Sequence, residues 1–305
     1  MQKKKFSVPE ALNEYKFKKN YIFKKLDISN FKLLNCEIKK FKPEIVFHMA
    51  AESHVDRSIK TPIDFINSNV IGTVNLIESF RINSKFWINN KKFKIINVST
   101  DEVFGSLKST DKKFLEIHKF KPNSPYSASK ASAYLFARAW NKTFNIPIIT
   151  THCSNNYGPW QYPEKLIPVV ISKCLLNKKI PVYGNGKNIR DWLHVDDHIN
   201  ALLKISMRGK IGESYNIGGG RELSNLSIVK KICKIMDRLR PAGKKYENNI
   251  AFIKDRLGHD FRYAINYTKI KKDLHYVPMI NFDQGLYNTV KWYVDNENWL
   301  LKKIS

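Results

Sequence analysis

Pro43-Glu-Ile-Val-Phe-His-Met-Ala-Ala51 decides the fold. After two polar, turn-forming residues it runs apolar for seven positions from a β-branched start, which predicts a buried strand over 45–51. Downstream, Pro62 opens a segment in which Ile63, Phe65, Ile66, Val70, Val74 and Ile77 recur at near-helical spacing, predicting a helix to about Phe80. FKIINVS (93–99) predicts a second strand and Ile148–His152 a third, with Pro147 placed where a missing N–H is tolerated. Between them, Tyr126–Phe144 predicts a helix, with Ser124 as cap candidate and Pro125 near its first turn. Strand–helix alternation of this kind implies an α/β fold with a Rossmann-type, doubly wound parallel sheet. In such sheets chemistry sits beyond the carboxyl ends of the strands. Ala50–Ser53, Thr100–Glu102 and Asn155–Tyr157 all fall there.

Beyond residue 157 prolines cluster at 159, 163 and 168, and Tyr183-Gly-Asn-Gly186 makes a turn. Helices are predicted at 164–176, 196–207, 224–239 and 283–296, with short strands near 180–183 and 214–217. Residues 1–157 thus read as the domain of the main sheet. Residues 158–305 read mainly as a smaller α/β substrate lobe, with some segments returning to the sheet.

The chain has 305 residues, 43% of them hydrophobic, enough for a sizeable core. No run of about 18 apolar residues predicts a membrane span, and the basic start lacks the apolar region of a leader peptide, so a cytoplasmic location is expected. Cys36, Cys153, Cys174 and Cys233 are far apart and form no CxxC, so reduced, mostly buried thiols are expected rather than zinc or disulfides. The net charge of +26 is spread along the whole chain, without an arginine-rich stripe interleaved with aromatics. It reads as a solvated lysine surface and not as a nucleic-acid site.

Two constellations carry chemistry. Tyr126 and Lys130 lie four residues apart on one helix face. An ammonium there favours a phenolate over the ordinary tyrosine value of about 10, so the pair can take a proton from a hydroxyl. Alone, the pair reads better as a ring stacked on a lysine stem. Thr100-Asp101-Glu102 places two carboxyls just past a strand end, where environment can split them into an acid and a base. Alone, that triplet reads equally as a solvated loop cap. His194, Asp196, Asp197 and His198 are too crowded for a metal set; Asp196 is expected as a helix cap and no metal is assigned.

HMAAESHVDRS (48–58), NVSTDEVFG (97–105), SPYSASKAS (124–132), CSNNYGPWQYPEKLIP (153–168), YGNGKNIRDWLHVDDH (183–198), YNIGG (215–219) and DRLGHDFRYAI (255–265) resemble, in order and spacing, the dTDP-glucose 4,6-dehydratase family of the extended short-chain dehydrogenases/reductases. The resemblance implies an NAD-dependent hydro-lyase in deoxysugar synthesis, with rhamnose or a related sugar downstream, acting on dTDP-glucose as a homodimer through the helices at 62–80 and 126–144. It implies Tyr126 as the base at the C4 hydroxyl, with Lys130 tuning it and holding the nicotinamide ribose. Thr100 would sit near the C4 oxygen, Glu102 would remove the C5 proton and Asp101 would protonate the C6 hydroxyl. Residues 1–157 are implied to be a partial NAD-binding domain, with NAD contacts at Asp27, Ile28, Ala50, Ala51, Glu52, Ser53, Ser68 and Asn156. Substrate contacts are implied for Ser53, Thr100, Asn155, Lys165, Arg190, Asn225, Arg256 and His259, the arginines being suited to the diphosphate. Other UDP- or GDP-sugar epimerases and dehydratases, or a sugar-nucleotide-binding fragment without catalysis, are the alternatives.

Two features depart from the family. Phe104 stands where DEVYG has tyrosine. The initial strand–GxxGxxG–helix–strand element, roughly 40 residues, is not recognisable, and no glycine precedes Gly72. A partial product, a misplaced start or a fragment is expected, with an unsatisfied strand edge as its structural trace.

Overall fold

The computed structural model describes Leu12 and residues 18–304. In chain order the strands are β1 (Ile45–His48), β2 (Lys94–Thr100), β3 (Ile148–Cys153), β4 (Asn155–Tyr157), β5 (Ile180–Tyr183), β6 (Ile189–His194), β7 (Ser214–Ile217), β8 (Glu222–Ser224) and β9 (Ile250–Ile253). The main sheet is parallel throughout in the order β1-β2-β3-β7. Two small sheets, β4-β6-β8 and β5-β9, complete the described strands.

Burial on both faces explains the paired isoleucines. Neighbours in a strand point to opposite faces. Ile95 and Ile148 pack with Leu34, Ile38, Ile77, Phe80 and Ala137 on one side. Ile96 and Ile149 pack with Leu193, Leu202, Ile205, Tyr215 and Ile217 on the other. The stretch 214–217 is a segment of the later half that returns to the main sheet, pairing along β3 with Tyr215 opposite Thr151. All four of its residues are buried, as an interior parallel strand requires. β1 is paired on one side only among the described residues. Ile45, Phe47 and Met49 on and beside it are 40%, 38% and 53% exposed.

The Pro125–Phe144 helix starts at a capping box, Ser124 and Ser127 each accepting the other's backbone N–H, and ends at a left-handed Asn145. The helix expected over 62–80 is instead three pieces, Pro62–Phe65, a π-helical turn Ile66–Ile71, and Gly72–Ile82. The wide turn is associated with a fully inward Asn69, 1% exposed. The helix Phe31–Phe41 was not anticipated, because only Leu34 and Ile38 are buried in a lysine-rich stretch; its signal is Asn30, whose side chain accepts the Leu33 N–H. Cys174 and Cys233 are buried, Cys153 is partly buried and Cys36 is exposed, so burial is less general than expected for the thiols, all of which are free. Among the described residues no helix is long and apolar enough to cross a membrane.

Candidate active site

The site forms where the main strands end. β2 runs into a 3-10 turn, Asp101–Phe104, whose first residues stay at the sheet's carboxyl edge. Thr100 caps that turn: its hydroxyl accepts the Glu102 N–H at 3.3 Å and lies 3.4 Å from Asp101 Oδ1. Asp101 is 2% exposed and its Oδ2 has no hydrogen-bond partner. Burial, then the charges of Glu102 and Asp191, push its carboxyl well above the ordinary value. Burial also raises Glu102, against Arg190, Lys165 and Arg256. The sequence places two carboxyls side by side; the turn makes them unequal, with Asp101 the more deeply buried and its proton the more strongly favoured.

Tyr126 and Lys130 enter from the first turns of the Pro125–Phe144 helix, 8% and 6% exposed. Burial, followed by the Glu102 charge, raises the Tyr126 phenol well above its usual value, and only the Thr100 hydrogen bond is among the named influences that oppose this. The Lys130 ammonium is itself pushed down to about 8 by burial and donates to Val98 O at 2.7 Å. In the chain by itself desolvation outweighs the lysine, because the ammonium points into the sheet edge rather than at the phenol.

A cleft of about 350 Å³ adjoins these groups. It brings together Asn155, Lys165, Arg190, Asn225, Arg256 and His259, six of the eight residues marked for substrate. Thr100 sits with the carboxyls, and Ser53 meets Lys165, whose Nζ donates to its carbonyl at 2.6 Å. Arg190 spends its fork on the carbonyls of Ile189, Asp260 and Phe261, and lies 4.3 Å from the Tyr263 ring centroid. Arg256 pairs with Asp56 at 2.6 Å and stacks over Tyr183. His259 pairs with Asp255.

A second cleft, about 730 Å³, is lined by Asp27, Ile28, Ala50, Glu52 and Ser68 together with Asp64 and Asn67. Asn75 fixes its Asp27-Ile28 wall by donating to the carbonyls of Ile28 and Ser29, and Gly72 leaves room for the Ile28 side chain, which a Cβ there would strike. Asp27 accepts both the N–H and the hydroxyl of Ser29. Ala51 and Ser53 follow along the β1 loop, and Asn156 is held by His198 at 2.9 Å. This set fits the two ends of a dinucleotide: a carboxylate-bearing wall at one, the Tyr126–Lys130 helix at the other. The glycine turn that a pyrophosphate takes in this fold is not among the described residues, whose first glycine is Gly72.

The crowded acidic segment has other work. His194, not Asp196, caps the following helix by accepting the Asp196 N–H, and Asp197 accepts the N–H groups of Met279 and Ile280. Phe104 packs among Phe114, Phe120 and His152 in the core. Four residues here carry no sequence signal of their own. Asn69 clamps the β1 loop, Asp56 holds Arg256, and Tyr263 with Asp260 backs Glu102. Only the spatial neighbourhood distinguishes them from ordinary polar residues.

The profile of the family described as GDP-mannose 4,6 dehydratase matches residues 2–289. The dTDP-glucose 4,6-dehydratase of Neisseria meningitidis serogroup B is 46% identical over 299 residues, covering 95% of this chain and 83% of that protein. The Escherichia coli dTDP-glucose 4,6-dehydratase is 44% identical, covering 95% and 84%. The solved Bacillus anthracis dTDP-glucose 4,6-dehydratase, in complex with NAD, superposes with a TM-score of 0.84 at 42% identity, covering 96% of this chain and 86% of that one. A Thermotoga maritima UDP-glucose 4-epimerase reaches 0.80 at 24% identity over 91% and 86%, a likeness of fold alone. A site with two unequal carboxyls at the end of β2, together with relatives of this identity along nearly the whole chain, places the protein in the sugar-nucleotide 4,6-dehydratases: it belongs to the dTDP-glucose 4,6-dehydratase family.

Proposed function

We propose that this chain converts dTDP-glucose to dTDP-4-keto-6-deoxyglucose and water. The observation that carries the proposal is the inequality of Asp101 and Glu102. A plain dehydrogenase or epimerase does not require a second acid and base beside the tyrosine, whereas elimination of water does. Bound NAD⁺ supplies the acceptor for the C4 hydride and its donor back to C6. Asp27, Ile28, Ala50, Ala51, Glu52, Ser53, Ser68 and Asn156 would hold it, with Lys130 at the nicotinamide ribose. With the positive charge of bound NAD⁺ offsetting the burial that raises its phenol, Tyr126 would take the C4 hydroxyl proton, and Thr100, whose hydrogen bond already opposes that rise, would orient the oxygen. The ketone acidifies C5, Glu102 removes its proton, and Asp101 gives its own proton to the departing C6 hydroxyl, releasing water. Glu102 then returns a proton to C5 as C6 is reduced.

Supporting the substrate side, Lys165, Arg190, Arg256 and His259 line one cleft with Asn155 and Asn225. Arg190 would need to exchange carbonyl partners, and Arg256 its Asp56 partner, to meet a diphosphate. A homodimer is part of the proposal; Ile63 and Ile71 near one end, and Leu135 and Phe136 on the Pro125–Phe144 helix, are exposed and apolar enough to form it.

The test is product analysis of the purified chain with NAD⁺ and dTDP-, UDP- or GDP-glucose. Dehydration of the dTDP-sugar, lost in Asp101→Asn, is the expected result. Turnover only of a UDP- or GDP-sugar, or epimerisation without loss of water, would overturn the proposal.

A further inference from the structure

Tyr263 has one proton and two carboxylates within reach. Its Oη lies 2.6 Å from Asp260 Oδ2 and 3.5 Å from Glu102 Oε2. The shorter contact takes the proton, since hydrogen bonds of this kind weaken steeply beyond ~3 Å. Asp260 is fixed to do this. It is 5% exposed, Asn123 Nδ2 donates to its Oδ1 at 2.6 Å, and its backbone carbonyl accepts Arg190 and Asn188. Tyr263 is fixed as well, 6% exposed with its ring against the Arg190 guanidinium. With its proton committed to Asp260, the phenol oxygen presents lone pairs to Glu102. A lone pair repels a carboxylate and accepts from a carboxylic acid.

We propose that Asp260 is a positioning residue for the elimination: by holding the Tyr263 proton it turns Tyr263 into an acceptor, so that the pocket favours the protonated Glu102 formed when the C5 proton is removed. In effect Asp260 strengthens Glu102 as a base through an intervening phenol. The inference rests on the dehydratase reading for what Glu102 does to substrate, but not for the proton arrangement itself. The other influences on Glu102 are Arg190, Lys165 and Arg256, which favour its anion, the Asp260 charge itself, which disfavours it directly and is separated from the relay by the Tyr263→Phe background, and the neighbouring acid Asp101 together with Tyr126. Against those three cations, an acceptor aimed at Glu102 keeps it from becoming a spent, weakly basic carboxylate.

The test needs neither substrate nor cofactor. Carboxyl-¹³C glutamate is incorporated, the Glu102 resonance is assigned by its loss in Glu102→Gln, and its titration is followed in wild type, Asp260→Asn, Tyr263→Phe and the double variant. An asparagine amide at 260 donates to the phenol oxygen and frees the Tyr263 proton for Glu102. The Glu102 midpoint then moves down by about one pH unit, a tenfold stronger acid. Tyr263→Phe, which keeps the ring under Arg190, also lowers the midpoint. In that background Asp260→Asn adds much less, the non-additivity of an interaction that runs through the phenol. The acid limb of the dehydration rate profile moves the same way. An unmoved midpoint in Asp260→Asn, or a shift equally large with and without the Tyr263 hydroxyl, overturns the proposal. If Asp260→Asn does not fold, an unmoved midpoint in Tyr263→Phe overturns it alone. A chain that passes this titration and makes no product from dTDP-glucose would refute the substrate reading and leave the relay standing.

Discussion

The side-chain amide of Asn69 pairs with both backbone groups of Glu52: the Glu52 N–H donates to Oδ1 at 2.8 Å, and Nδ2 donates to the Glu52 carbonyl at 2.9 Å. The second Nδ2 proton goes to Ser129 Oγ, which donates to the Tyr126 carbonyl. One side chain thus ties the loop after β1 to the helix that carries Tyr126. Asn69→Ala leaves the Glu52 groups unpaired, a loss of about 1–3 kcal/mol. We expect a lower urea midpoint together with weaker NAD binding by calorimetry. Asn69→Asp, which sets a carboxylate oxygen against the Glu52 carbonyl at a buried position, should do no better than alanine. Full stability and full affinity in Asn69→Ala would mean that the clamp is dispensable.

Burying the Asp101 carboxyl costs stability once the pH is above its ordinary range. Its folded value lies above its ordinary 3.8, so above 3.8 the folded chain binds more protons than the unfolded one and stability declines with rising pH. Asp101→Asn removes that penalty. The variant should be more stable than wild type at pH 7, with the gain vanishing as the pH falls toward 3.8. Turnover should drop about 10²- to 10⁴-fold, the range for a lost general acid. Denaturant midpoints at two pH values check the first claim. A variant less stable than wild type at pH 7 would contradict it.

Three buried histidines set the acid limit. Burial lowers His48 and His152 to about 3 and His198 to about 4, from an ordinary 6.5. Between 6.5 and 4 the unfolded chain takes up protons that the folded one refuses, so stability falls as pH falls. Each histidine contributes at most about 1.4 kcal/mol per pH unit, roughly 4 for all three. Urea midpoints measured from pH 7 down to pH 4.5 should decline before most carboxylates titrate. A flat profile there would show that these imidazoles charge within the fold.

Arg262 staples the loop after Phe104 to β8. It is 7% exposed, reaches Glu222 at 2.6 and 3.2 Å, and donates to the carbonyls of Lys108 and Asp111. Removing it leaves Glu222 to Lys113 alone and leaves two carbonyls without this donor. Arg262→Ala should cost about 1–3 kcal/mol, the range for hydrogen-bonding groups left unpaired, since Lys113 still meets the Glu222 charge. Arg262→Lys retains the charge but not the fork, and should recover only part of this in denaturant titration.

The strand–helix alternation was legible because Ile95-Ile96 and Ile148-Ile149 must bury opposite faces, and because Ser124-Pro125 begins a helix by local chemistry alone. The π turn at 66–71 was not, since its apolar spacing is nearly that of an ordinary helix. Thr100, Asp101, Glu102, Tyr126 and Lys130 were legible as two local strings, and their meeting follows from two adjacent parallel strands and the helix between them. What local strings do not encode is partnership across 100 residues or more: Glu102 with Tyr263, Asp56 with Arg256, Lys165 with the Ser53 carbonyl. The balance at Tyr126 is likewise not local. Spacing puts Lys130 beside the phenol, but depth in the fold decides which effect prevails.

Ile45, Phe47 and Met49 give β1 the composition of an interior strand while its outer side carries no ladder among the described residues. Unpaired N–H and C=O groups beside apolar side chains are a template on which another extended segment can assemble. The opposing force is the mutual repulsion of molecules that each carry a charge of +26. Long-range repulsion is screened within about 8 Å at physiological ionic strength, whereas strand pairing acts at contact. The colloidal behaviour of this protein is therefore governed by salt: added electrolyte weakens the barrier and leaves the adhesive edge untouched.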